Sequence, residues 1–180
     1  GGETWEPVLT VSKDTGVTDV EFEPGNPDIL YAAAYQRRRS VAAFMAGGPE
    51  SGIYKSMDGG KTWRKLEVGL PRGHMGKIGL AVSPVEPAIV YATIEAGEKE
   101  RGFYRSTDRG ESWEKRNGLI AGGTGPHYYQ ELVPHPTVMD RVFMMDVYMR
   151  VTDDGGKTWR EVGEKWKHVD NHALVVLPDD

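Results

Sequence analysis

The chain contains no cysteine among its 180 residues. That excludes disulfides, cysteine-ligated zinc and a cysteine nucleophile together. No apolar run approaches the roughly 18 residues that a membrane-crossing helix needs, so membrane insertion is not expected. Basic charge is scarce: 22 Lys and Arg stand against 27 Asp and Glu, for a net charge of -5. The densest basic cluster is Arg37-Arg38-Arg39. Binding a nucleic-acid backbone needs a broad positive surface, so nucleic acid is not an expected partner. No stretch holds a capped 3.6-residue apolar period, which predicts almost no helix. No nucleophile-elbow pattern supports Ser-His-Asp catalysis. The chain opens Gly1-Gly2-Glu3-Thr4-Trp5, with neither Met nor a basic-apolar leader. That opening reads as a processed or excised chain.

What is present is repetition. Gly52-Ile-Tyr-Lys-Ser56-Met-Asp58-Gly-Gly60-Lys-Thr-Trp63 aligns with Gly102-Phe-Tyr-Arg-Ser106-Thr-Asp108-Arg-Gly110-Glu-Ser-Trp113. A third copy carries Thr152, Asp154, Gly156 and Trp159, and a truncated one ends at Trp5. The tryptophans fall 58, 50 and 46 residues apart. A second repeat precedes each copy: Val20-Glu-Phe-Glu-Pro24 leads to Ile29-Leu-Tyr31, and Leu80-Ala-Val-Ser-Pro84 leads to Ile89-Val-Tyr91. Leu132-Val133-Pro134 leads to Arg141-Val142-Phe143, and Ala173 to Pro178 is a last partial copy. Each unit reads as four short antiparallel strands, which is the content of a β-propeller blade.

The expected fold is therefore all-β: about three and a half propeller blades, an open arc or part of a seven- or eight-bladed ring. The blades are placed at 17–68, 74–117 and 127–163. Residues 1–12 are read as the last strand of a preceding blade and 168–180 as the first strand of a following one. Three blades are too few to close a ring, and open sheet edges invite association. Completion is expected from further blades of a longer chain or from a second copy. The terminal strands, Trp5 to Val11 and His172 to Leu177, could also pair with one another.

The S/T-x-D-x-G-x-x-W signature resembles the Asp box of sialidases, sortilin-type receptors and related propellers. Its chemistry is that of a turn. The Asp accepts hydrogen bonds from backbone N–H groups just downstream. The glycine takes the positive φ, and the Trp covers the hairpin. Ser56, Asp58, Gly60, Trp63, Ser106, Asp108, Gly110, Trp113, Thr152, Asp154, Gly156 and Trp159 are accordingly structural. Loss of a buried ring such as Trp63 should cost about 3–5 kcal/mol.

Ala34-Tyr-Gln-Arg-Arg-Arg39, Gly47-Gly-Pro-Glu-Ser-Gly52 and His168-Val-Asp-Asn-His-Ala-Leu174 resemble large bacterial BNR-repeat proteins, often labelled sortilin-like or glycosyl-hydrolase-like. The resemblance covers nearly the whole chain, in proteins several times longer. It implies tandem propellers, usually exported to the periplasm or beyond, with no settled activity. Val175 departs from the Trp expected after Ala173-Leu174. The hydrolase label follows the fold and does not by itself establish chemistry.

Three candidate sites remain. His168, Asp170 and His172 would share one face of a strand, where they could hold a divalent metal or a polar ligand, or serve as hydrogen-bonded residues at a strand entrance. The insertion from Gln36 to Ser51 reads as a loop whose Arg37, Arg38 and Arg39 could meet a carboxylate or sulfate, or as a loop that covers the channel mouth or a neighbouring domain. Tyr128 and Tyr129, after the glycine-rich Gly122-Gly-Thr-Gly125, suit sugar stacking or packing between blades. Among acids outside the Asp boxes, Asp19, Asp146 and Asp170 lie near strand ends and are weak catalytic candidates for glycoside hydrolysis, which needs two carboxylates at a set separation. No cofactor is expected. The leading expectation is a non-catalytic scaffold binding protein or carbohydrate. The rival is a fragment of a glycoside hydrolase of xyloglucanase or sialidase type.

Overall fold

The computed structural model describes residues 2–122, 125–163 and 165–177. Gly1, Gly123, Thr124, Glu164 and 178–180, part of the expected terminal strand, lie outside it. The described residues hold thirteen strands and no helix. The first blade comprises β1 (Thr15–Glu23), β2 (Asn26–Arg39), β4 (Gly52–Ser56) and β5 (Arg64–Leu66). A short β3 (Phe44–Ala46) pairs only with β2. The second blade is β6 (Ile78–Val82), β7 (Val90–Ile94), β8 (Gly102–Ser106) and β9 (Glu114–Asn117). The third is β10 (Leu132–Pro134), β11 (Val142–Met144), β12 (Arg150–Thr152) and β13 (Arg160–Glu161). Each sheet is an antiparallel meander in chain order, as a propeller blade requires.

The sequence of the second blade explains its place. β6 and β7 are buried at every position, so they read as continuous apolar runs instead of alternating ones. One face meets the first blade, through Leu80, Val90, Ala92 and Tyr104 against Tyr31, Ala33 and Ile53. The other meets the third, through Tyr91 and Phe103 with Leu132, Val142 and Met144. Polar contacts cross these interfaces too. The Tyr31 hydroxyl donates to the Arg109 carbonyl at 3.0 Å, and Lys55 Nζ donates to the same carbonyl at 2.7 Å. One blade further on, Tyr91 and Arg105 both donate to Asp140 Oδ1, at 2.8 and 2.9 Å.

Among the described residues the first blade has no such neighbour on its opposite face. Val20 and Phe22 are 46% and 55% exposed, whereas Leu80 and Val82, their counterparts in the next blade, are 1% and 4% exposed. Residues 2–11 and 165–177 form no strand.

The insertion 36–51 departs from the expected loop. Arg37, Arg38 and Arg39 continue β2 and pair with Ala46, Met45 and Phe44. Ser40 closes the hairpin: its Oγ accepts the Ala43 N–H at 3.1 Å and its N–H donates to the Ala43 carbonyl at 2.8 Å. The hairpin is anchored to the second blade by the Gly48–Met75 bridge.

Candidate functional site

The three Asp-box turns are built alike. Asp58 Oδ1 accepts the Thr62 N–H at 2.8 Å and Oδ2 accepts the Thr62 hydroxyl at 2.6 Å. Ser56 Oγ accepts the Gly60 N–H at 2.8 Å, and Trp63 Nε1–H donates to the Gly60 carbonyl at 2.9 Å. Asp108 with Ser106 and Ser112, and Asp154 with Thr152 and Thr158, repeat the pattern. These hydrogen bonds hold the Asp58 and Asp154 carboxyls down to about 2; at Asp154 they outweigh an opposing effect of burial. Each Asp oxygen is committed to the turn, which makes the box a structural device. Gly156 also lets blades approach: a Cβ there would lie 2.1 Å from Phe103 Cδ1. Trp159 meets Phe103 edge-on with centroids 5.0 Å apart.

The three acids named outside the boxes are engaged as well. Asp19 Oδ2 accepts the Leu80 N–H at 2.8 Å, across the interface between the first two blades. Burial raises its carboxyl above the usual range, against the lowering effect of that bond. Asp146 accepts Arg150 Nη1 at 2.8 Å and the Val147 N–H at 2.7 Å. Asp170 Oδ1 accepts the Tyr129 hydroxyl at 3.0 Å. Glu21 shares a face of β1 with Asp19; burial first, then the Asp19 charge, pushes its carboxyl up to about 7.

His168, Asp170 and His172 do not occupy a strand, so the two-residue alternation that would align them is missing. Asp170 instead has φ 69° and its N–H donates to the Val147 carbonyl at 3.0 Å. His168 Nδ1 lies against its neighbour's carbonyl, Val169 O, at 2.5 Å, while the His172 ring stacks on Tyr129 at 4.9 Å and 13°. Tyr129 thus gathers Asp170 and His172 into a packing cluster. Among the described residues no group of three or more His, Asp or Glu could hold a metal ion.

The tyrosine pair divides. Tyr129 is 4% exposed and joins the core between the second and third blades. Tyr128 is 54% exposed and lines a pocket of about 250 Å³ with Thr18, Tyr35, Arg37, Lys77 and His127. This pocket sits on the rim where β1 and β6 begin and β2 ends. Thr18 is placed there by a bulge in β1, whose register shifts between Val17 and Asp19. The β2–β3 hairpin reaches the same spot: Phe44 meets His127 edge-on with centroids 5.4 Å apart. The structure therefore joins Arg37 and Tyr128, which the sequence placed in separate candidates. Arg38 turns away toward Asp14 at 3.6 Å.

Tyr35 and Lys77 were not singled out from sequence, and His127 entered only as part of the stretch Gly122 to Gln130 that carries the two tyrosines. The signal for Tyr35 was its two-residue spacing from Arg37, which only a strand makes meaningful. His127 stands beside Tyr128 in sequence. Lys77 carried no local mark.

Meandering four-stranded sheets with Asp-box turns define β-propeller blades. The BNR/Asp-box repeat family model matches residues 104–115 and 150–161. The chain thus carries two matched BNR/Asp-box repeats, in the second and third of its three blades. Among solved structures it is similar to YCF48 bound to D1 peptide, with TM-score 0.57 and 15% identity over 87% of this chain and 42% of that one. It is also similar to the GH74 enzyme of Niastella koreensis, with TM-score 0.56 and 22% identity over 82% of this chain and 22% of that one. The GH74 xyloglucanase of Xanthomonas campestris follows, with TM-score 0.53 and 21% identity over 84% of this chain and 24% of that one. The chain spans 22% to 42% of the length of these neighbours, and the likeness is one of fold. No match is found among curated proteins.

Proposed function

We propose that these blades are a non-catalytic scaffold that binds a protein or carbohydrate partner at the rim pocket. The observation supporting this reading is the convergence of Arg37 with Tyr35, Tyr128 and His127 from strands and loops far apart in sequence. Arginine and exposed aromatic rings are the side chains most used to anchor ligands. The neighbours fit either partner class: one YCF48 propeller is bound to a peptide, and the GH74 enzymes include a xyloglucanase. The test is binding to a panel of oligosaccharides and peptides, scored alongside release of reducing sugar. Binding without release supports a scaffold; release supports the rival.

That rival, part of a glycoside hydrolase, draws on one observation. Glu21 and Asp19 lie on one strand face, and Glu21 is raised to about 7, where a general acid is useful. Reducing-sugar release that vanishes in Glu21→Gln would favour it.

The exposed Val20 and Phe22 support a second element of the proposal. Another blade covers this face, supplied by a longer chain or by a second copy. Light scattering on the isolated chain should report self-association that Phe22→Asp reverses. A stable monomer at tens of micromolar would leave the longer chain as the source.

A further inference from the structure

The rim pocket carries a charge pattern that selects among ligands. Tyr35, Arg37 and Arg39 alternate along β2 and share one face. Arg37 and Arg39 form no ion pair with any described residue, and their guanidinium carbons stand 5.4 and 6.0 Å from the Phe44 centroid. Lys77 also lines the pocket, but its ammonium is committed to Glu131 Oε1 at 2.8 Å. The positive charge at this rim that no ion pair holds is therefore that of the two β2 arginines, and Glu95 is the acid whose charge also reaches Tyr35. Tyr35 is 3% exposed, and its hydroxyl has no hydrogen-bond partner among the described residues. A buried hydroxyl left unpaired is costly, and a ligand oxygen would relieve it.

We propose that this pocket binds an acidic sugar, a hexuronate unit of a polysaccharide. Arg37, flanked by Arg39, takes the carboxylate. The sugar ring lies against Tyr128, and the Tyr35 hydroxyl donates to a sugar oxygen. The carboxylate follows from the unpaired guanidinium groups, whose planar fork matches it. The sugar follows from size and lining. About 250 Å³ is less than the roughly 300–1,000 Å³ of clefts for drug-sized ligands, and suits one ring of a longer chain. Phe44 and Tyr128, 45% and 54% exposed, offer aromatic surface beside it. This inference rests on the reading of the rim as a ligand site.

Titration calorimetry with tetragalacturonate tests it, with cellotetraose as the neutral sugar and tetraglutamate as the acidic peptide. Tetragalacturonate should bind, and Arg37→Gln should weaken it about tenfold or more while circular dichroism stays unchanged. Arg37→Lys should not restore it, because a point charge lacks the fork. Raising NaCl from about 50 to 300 mM should weaken it several-fold. Equal binding of cellotetraose and tetragalacturonate, unaffected by Arg37→Gln, would overturn the carboxylate assignment while leaving carbohydrate binding intact. Binding of tetraglutamate alone would overturn the sugar. No binding by any of the three would overturn both the inference and the rim-site reading.

Discussion

Trp113→Ala compared with Trp63→Ala measures what a neighbouring blade contributes. Trp113 is 6% exposed and belongs to the core between the first two blades. Its Nε1–H donates to the Gly110 carbonyl at 3.1 Å, and its backbone N–H donates to the Val68 carbonyl at 3.0 Å. An indole buries on the order of 200 Å². At about 25 cal/mol per Å², its removal forfeits about 5 kcal/mol, in line with the roughly 3–5 kcal/mol of Trp→Ala core truncations. Trp63 makes the same turn contact but is only half-buried, and a Cβ built at Gly60 would touch nothing but Trp63 itself. Its loss should cost about 1–3 kcal/mol, below the figure its sequence position alone implies. For a chain of this size, about 2–4 °C of melting temperature goes with each kcal/mol. Trp113→Ala should therefore melt roughly 6–20 °C below the parent and clearly below Trp63→Ala. Equal shifts, or a larger one for Trp63→Ala, would refute the claim that the adjacent blade makes the difference. If Trp113→Ala fails to fold, Trp113→Phe supplies the same comparison at smaller amplitude.

Three further outcomes follow from the structure. Glu21, raised to about 7 by burial and by Asp19, holds its proton more tightly folded than unfolded. It therefore opposes folding as pH rises from about 4.5 to 7, by on the order of 1–3 kcal/mol. Urea melts at pH 5 and pH 8 should show that Glu21→Gln stabilises at pH 8 and barely matters at pH 5; equal effects would contradict the burial argument. Gly156→Ala places a methyl group 2.1 Å from Phe103 at a φ of 90°, whereas Gly25→Ala has a φ of 79° and open space. Thermal melts should show a much larger loss for Gly156→Ala, and parity would mean that the third blade is not seated on Phe103. Tyr129→Phe, which removes the hydroxyl bonded to Asp170, should lower stability by about 1 kcal/mol, with tetragalacturonate affinity unchanged; a matching loss of affinity would place ligand binding at that cluster instead.

The blades were legible because their determinants are local. Asp58, Thr62, Gly60 and Trp63 lie within a few residues of one another, so their hydrogen bonds can be read from spacing. The rim pocket was not, because it is made by convergence. Arg37 and Tyr128 are 91 positions apart, and Lys77 enters from a third segment. Nothing local says that Tyr128 faces solvent while Tyr129 packs under Asp170 and His172. The arginines were read as loop residues because three consecutive charges conceal a strand alternation. Only pairing with β3 reveals that Arg38 parts from Arg37 and Arg39. The His168–His172 spacing suggested a ligand face, but spacing has that meaning only on a strand, and the backbone there turns at Asp170.

The most direct measurement of the central claim is a nuclear magnetic resonance titration of this chain of about 20 kDa with tetragalacturonate, monitored for new reducing ends in the same tube. With ligand in the rim pocket, perturbed amides should cluster at residues 35–39, 44–48, 77 and 125–128, with no sugar cleaved. Perturbations confined to the Asp-box turns or to Tyr129 and His172, or the appearance of cleaved product, would contradict it.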